Sequence, residues 1–201
     1  MIIKIINNLF HRACNNCSKG TEEDCFHPQC VTADGVERGV MTINRRVPGP
    51  AINVCKDDLV IVDLHNDMDG SSTSIHWHGM NQKETPFMDG VPFLTQCPIQ
   101  YSSTFRYSFH VREAGTNFYH SHSGLQKANG IFGSLVIRAP ERQDPNSLLY
   151  NYDLPEHTIV VTNWLHDYAE TYLPGLSSSL KLYESLIFDG RGRYFNVSIV
   201  V

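Results

Sequence analysis

The chain has 201 residues, 41 % of them hydrophobic, and a formal net charge of −5, enough for one domain with an ordinary core and part of a second. No basic block is present, which argues against nucleic acid as a partner, and the longest apolar run falls far short of a membrane span. Four of the six cysteines (Cys14, Cys17, Cys25, Cys30, Cys55, Cys97) lie within residues 14–30. That even, crowded set suits disulfides in an oxidising compartment, and the rival reading is a small zinc site on Cys14-x-x-Cys17.

In chain order, residues 1–35 are polar, Cys-rich and weakly periodic, and read as a loop-rich, stapled extension. Lys4 gives a charged start, but Asn7 and Asn8 interrupt the apolar run and no clear cleavage site follows, so a secretory signal is not evident. Asn16-Cys17-Ser18 and Asn196-Val197-Ser198 fit the N-glycosylation triplet. Residues 36–140 carry a succession of short strands. Val40 to Asn44 alternates until Val47-Pro48-Gly49-Pro50 breaks it, and Leu59 to Leu64 is a β-branched run between turn residues. Ser74 to His78 is a candidate strand, and Asn81 to Tyr101 a long loop. Thr104 to Phe109 puts Phe105, Tyr107 and Phe109 on one face, Glu113 to Thr116 turns the chain into Asn117 to His120, and Ile131 to Ile137 is a final apolar strand. No amphipathic helix of 12 or more residues is evident, and many short strands at near-regular spacing predict an all-β antiparallel sandwich or small barrel. Residues 141–156 read as a linker, His157 to Thr162 as a new strand, Thr171 to Ser179 as loop, and Leu186 to Gly190 as a strand entering a turn. Residues 157–201 are too few to close a second sandwich.

Chemistry concentrates in two His-x-His pairs, His76-Trp77-His78 and His120-Ser121-His122, with 41 residues between them. Side chains two apart on a strand share a face, so each pair aims two imidazoles at one place, and four neutral nitrogen donors suit copper or zinc. Strand neighbours i and i+2 stand about 6.6 Å apart while metal–nitrogen bonds are about 2 Å, so a regular strand feeds two adjacent ions more naturally than it chelates one. The bland alternatives are two unrelated polar pairs, or a zinc hydrolase site lacking its usual third His or Asp nearby. His11, His27, His65, His110, His157 and His166 are isolated and read as structural or surface histidines. Asp89 before Gly90 could simply form a turn.

The ordered set of segments extends further. Pro48-Gly49-Pro50, His76-Trp77-His78-Gly79, Asp89-Gly90-Val91-Pro92 and Gln96-Cys97-Pro98-Ile99 are followed by Ala114-Gly115-Thr116, His120-Ser121-His122-Ser123-Gly124 and Gly130-Ile131-Phe132-Gly133. It resembles the first cupredoxin domain of a multicopper oxidase. The Cys-rich front, Ala33-Asp34-Gly35 and Asp153-Leu154-Pro155-Glu156-His157 are most similar to insect and other animal laccases. The resemblance implies a cupredoxin-like Greek-key sandwich over residues 36–140, then the start of a second cupredoxin domain. It also implies copper. His76 matches a type 2 ligand, His78 and His120 match ligands of one type 3 ion, and His122 matches a ligand of the other. Asp89 matches an acidic residue that helps deliver protons to dioxygen.

Three departures from the family pattern touch no ligand: Tyr119 for a common Trp, Asn129 for an Asp, and Asp189 for an Asn. The larger departure is that no cysteine follows Cys97. The type 1 site and half of the cluster ligands, which the family draws from a C-terminal cupredoxin domain, are not in this sequence. The expected function is therefore the N-terminal part of a laccase-like oxidase, with dioxygen and a phenolic reductant as partners of the complete enzyme and a secreted location. The chain alone is expected to be inactive. The alternatives are a non-enzymatic copper- or protein-binding cupredoxin module and a ferroxidase.

Overall fold

The computed structural model describes residues 2–8 (backbone), 31–173 and 183–195. Ten strands and several short 3-10 turns make up the described chain, which is all-β and cupredoxin-like. One four-stranded sheet holds β2 (Val40–Ile43), β1 (Ile2–Asn8), β4 (Leu59–Asn66) and β6 (Thr104–His110), in that order. The other holds β3 (Ile52–Cys55), β8 (Phe132–Arg138), β7 (Gly115–Ser121) and β5 (Ile75–His78). β9 (Val161–Trp164) and β10 (Ser185–Phe188) form a separate antiparallel pair.

Period-two alternation explains the main core. On β4, Val60, Val62, Leu64 and Asn66 are buried while Leu59 and Ile61 are exposed. On β6, Tyr107 and Phe109 point inward, and Phe105 packs against the same cluster. Trp77 is fully buried at the centre, its ring 5.3 Å from Tyr107, 5.0 Å from Phe109 and 5.9 Å from Tyr119. The Tyr107 hydroxyl accepts the Ile75 N–H at 2.9 Å and donates to Gln96 Oε1 at 2.8 Å, tying β5 to both β6 and the loop after Gly90. Burial pushes the Tyr107 phenol far above its ordinary pKa, so it remains a donor.

A smaller cluster of Ala33, Val47, Phe132, Trp164 and Ile187 seats β9 and β10 against the first sandwich. Arg38 fastens it. Nη1 donates to Leu165 O at 2.6 Å, Nη2 to Asn129 Oδ1 at 2.8 Å and Nε to Gly39 O at 2.8 Å, and the guanidinium lies 4.6 Å over the Trp164 ring.

The strand readings need four corrections. Residues 2–8 are not loop: β1 runs parallel to β4 and antiparallel to β2. Ile52–Cys55 forms β3, parallel to β8, where no strand was expected. β7 begins at Gly115 rather than after the expected turn. His157 lies in a 3-10 turn, Pro155–His157, and the strand expected there starts at Val161, because proline opens a turn more readily than a strand. Cys55 and Cys97 are exposed free thiols. Cys14, Cys17, Cys25, Cys30, both glycosylation triplets, His11 and His27 fall wholly or partly outside the described residues, as do residues 174–179 of the expected loop.

Candidate metal centre

β5 and β7 pair antiparallel in the register Ile75↔Ser121, His76↔His120, Trp77↔Tyr119, His78↔Phe118. Trp77 and Tyr119, fully buried, take the inward face. His76, His78 and His120 therefore share the opposite face, and His122 continues the alternation one residue past the end of β7. The His76 ring centroid is 5.6 Å from His78, 5.4 Å from His120 and 5.5 Å from His122. The four imidazoles singled out in the sequence are thus gathered at one place.

Hydrogen bonds sort the ring nitrogens. His76 Nδ1 lies 2.8 Å from the Asp89 carbonyl oxygen and 3.3 Å from its carboxylate Oδ1. His120 Nδ1 lies 2.8 Å from the Ser121 carbonyl. A carbonyl only accepts, so both Nδ1 atoms carry the proton and both Nε2 atoms keep a lone pair for a metal. His120 Nε2 faces His78 Nδ1 at 3.4 Å. That is long for a hydrogen bond. Two nitrogens held at about 2.0–2.1 Å by one tetrahedral ion stand about 3.3 Å apart. One nitrogen each from His76, His78 and His120 lies within 4.8 Å of the other two. This donor set of neutral imidazoles fits copper or zinc. His122 is not in that closest group, but its ring stacks on His120 at 6.2 Å and 22°.

Asp89 sits where a glycine brings it. Gly90, at φ +82°, lies so close to β5 that a Cβ there would overlap the Ile75 carbonyl oxygen. A cavity of about 550 Å³ opens beside the cluster, its wall including Ser71, Phe93, His122, Ser123, Gln126 and Glu170. Gln126 and Glu170 were not singled out in the sequence. They lie in turns without periodicity, and no spacing rule reaches them.

Burial holds His120 well below the ordinary histidine range, at about 4, with Lys127, His76 and His78 adding in the same direction against the Ser121 hydrogen bond. The unfolded chain protonates this ring near 6.5. Between those values the unfolded state binds more protons, so stability is full above about 6.5 and falls as pH drops toward about 4. Urea denaturation of the metal-free chain from pH 7.5 to 4 is expected to lose about 2 kcal/mol through this group, allowing for some water access to the ring. His120→Gln should flatten that slope; an unchanged slope would refute the assignment.

Residues 26–142 match the model of a family described as multicopper oxidase. The chain belongs to the multicopper oxidase family. It is 38 % identical over 166 residues to an L-ascorbate oxidase of Cucumis sativus, covering 80 % of this chain and 27 % of that protein. It is 40 % identical over 149 residues to Laccase-1 of Cryptococcus neoformans var. grubii, covering 74 % and 23 %. Among solved structures, the laccase from Botrytis aclada superposes with a TM-score of 0.72 at 30 % identity, covering 94 % of this chain and 30 % of that one. Fet3p, a multicopper oxidase that functions in iron import, gives 0.69 at 32 % identity, covering 94 % and 32 %. The chain thus spans about a quarter of the length of these curated relatives. The fold is the cupredoxin-like one of multicopper oxidases, and copper is the metal the family implies. Among the described residues, no helix is long and apolar enough to cross a membrane.

Proposed function

We propose that this chain supplies half of the histidine donors of a trinuclear copper cluster in a laccase-like multicopper oxidase. The observation that carries this is the facing of His78 Nδ1 and His120 Nε2 at 3.4 Å, with His76 held beside them by Asp89. His76 would hold the type 2 ion, His78 and His120 one type 3 ion, and His122 the other. Residues 36–140 form the N-terminal cupredoxin domain in this reading, residues 141–156 a linker, and residues 157–201 open a second domain. The remaining ligands and the type 1 site come from other domains of a complete, secreted enzyme. Bound copper supplies the one-electron chemistry that couples oxidation of a phenolic reductant to reduction of dioxygen.

The chain's own residues orient and exchange protons. The Asp89 carbonyl fixes the His76 tautomer, and its half-buried carboxylate, 3.3 Å from the same ring nitrogen, is free to orient a water and pass a proton. The structural likeness to Fet3p supports a second reading, in which the reductant is ferrous iron. Titration of the chain with Cu(II), followed by electron paramagnetic resonance, should show imidazole nitrogen coupling. His78→Ala and His120→Ala should each weaken binding at least about tenfold, since even partners that only orient a ligand contribute that much. Equal binding by the wild type and both variants would sink the proposal.

A further inference from the structure

We infer that Gln126 is the positioning residue that holds His122 in the histidine quartet, an inference that rests on the copper reading above. His122 is the odd member. The β5–β7 ladder ends at Ile75↔Ser121, one residue before it. Its ring nitrogens, unlike those of His76 and His120, have no hydrogen-bond partner among the described residues. Its place is set from beneath, through the backbone on either side.

That backbone is fastened by one amide. Gln126 is 7 % exposed, and its Oε1 accepts the hydroxyls of Ser121 at 2.7 Å and Thr73 at 2.8 Å. Its Nε2 donates to the Ser72 carbonyl at 2.9 Å, which also fixes which end of the amide is oxygen. Ser121, between the two histidines and on their opposite face, in turn accepts the Ser123 N–H at 3.1 Å. His122 N–H donates to Ser74 O at 3.3 Å. A single side chain thus joins the residues leading into His76-Trp77-His78 to those on both sides of His122. Thr73 and Ser121, 0 % and 3 % exposed, would lose the acceptor that their two hydroxyls share. Removing the amide should let the Ser121–Ser123 turn relax while the β5–β7 ladder keeps His76, His78 and His120 in register.

The test uses Gln126→Met, which keeps the length and removes both polar ends. In the metal-free chain, nuclear Overhauser contacts between the His122 and His76 rings, 5.5 Å apart, should weaken while those between His76 and His120, 5.4 Å apart, stay. In copper titration, Gln126→Met should weaken binding about tenfold, His122→Ala should do the same, and the double variant should add nothing further. If Gln126→Met does not fold, Ser121→Ala carries the same two readouts with a smaller perturbation. Wild-type copper binding together with unchanged His122–His76 ring contacts and unchanged affinity in the variants would overturn the positioning role and leave the copper reading intact. If the wild type binds no copper through these histidines, the copper reading falls, and the His122–His76 ring contacts alone decide whether Gln126 orients His122.

Discussion

Gly90→Ala is expected to destabilise the chain by about 3–5 kcal/mol, because two separate costs fall on one methyl group. Gly90 adopts φ +82°, a region an L residue enters only with strain, and its missing Cβ is what admits the loop against the Ile75 carbonyl and the His76 N–H. The loop or β5 must move. Either displacement separates the Asp89 carbonyl from His76 Nδ1, so the variant should also show an altered His76 tautomer by nitrogen-15 spectroscopy. Gly70→Ala is the control. It has a similar φ of +68°, but nothing lies within 4 Å of the added atom, so only the conformational cost of about 1 kcal/mol applies. Urea denaturation of both variants separates the terms. A Gly90→Ala loss no larger than that of Gly70→Ala would show that close approach is not what the glycine provides.

Arg38→Ala should cost a comparable 3–5 kcal/mol, concentrated in β9 and β10. The substitution strips donors from the Leu165 and Gly39 carbonyls and from Asn129 Oδ1, and removes the cation above Trp164. Burial lowers the Arg38 pKa, with Tyr168, Tyr172, Asp167 and Asp34 opposing it, so this guanidinium is a partly desolvated charge whose partners cannot be lost cheaply. The chain has two tryptophans. Trp77 lies in the main core, and Trp164 under Arg38, so a red shift confined to the Trp164 component is the expected fluorescence signature. Hydrogen exchange should quicken in β9 and β10 and not in β5 or β7; uniform loss across the sheets would contradict this local role. The same network explains Asn129 standing where the family pattern has Asp. Its Oδ1 accepts from Arg38 and the Ala169 N–H, and its Nδ2 donates to Glu170 Oε2 at 2.6 Å. An aspartate has no such donor, and would face the Glu170 carboxylate.

Much of the fold was legible because alternation is local. Leu59 to Leu64 and Thr104 to Phe109 announce β4 and β6 through side-chain period alone, and the His-x-His spacing places each pair on one face before any partner strand is known. What stayed hidden depends on distant contacts. The parallel pairing of β1 with β4 and of the four-residue β3 with β8 gives no sequence period, and Asn7 and Asn8 interrupt the apolar run of β1. The facing of His78 on His120 depends on the β5–β7 register, and no count of intervening residues yields it. Asp89 was found through family likeness rather than spacing. Gln126, Arg38 and Glu170 act from turns and a half-buried surface, where polar residues look ordinary until their partners are seen.

The strand that carries His76 and His78 lies at the margin of its sheet, with β7 on one side and, among the described residues, no strand on the other. Such an edge normally exposes backbone groups able to recruit a strand from another molecule. Here several of those groups are already engaged. Ile75 N–H goes to the Tyr107 hydroxyl, the Ile75 carbonyl is covered by Gly90, and the Trp77 carbonyl accepts the Met80 N–H. Just before the strand, Thr73 exchanges both backbone bonds with Ile99. The loop that delivers Asp89 to the histidines therefore also covers part of the edge, and protection against strand-to-strand aggregation comes in part from Gly90, which also places Asp89 in the candidate metal centre.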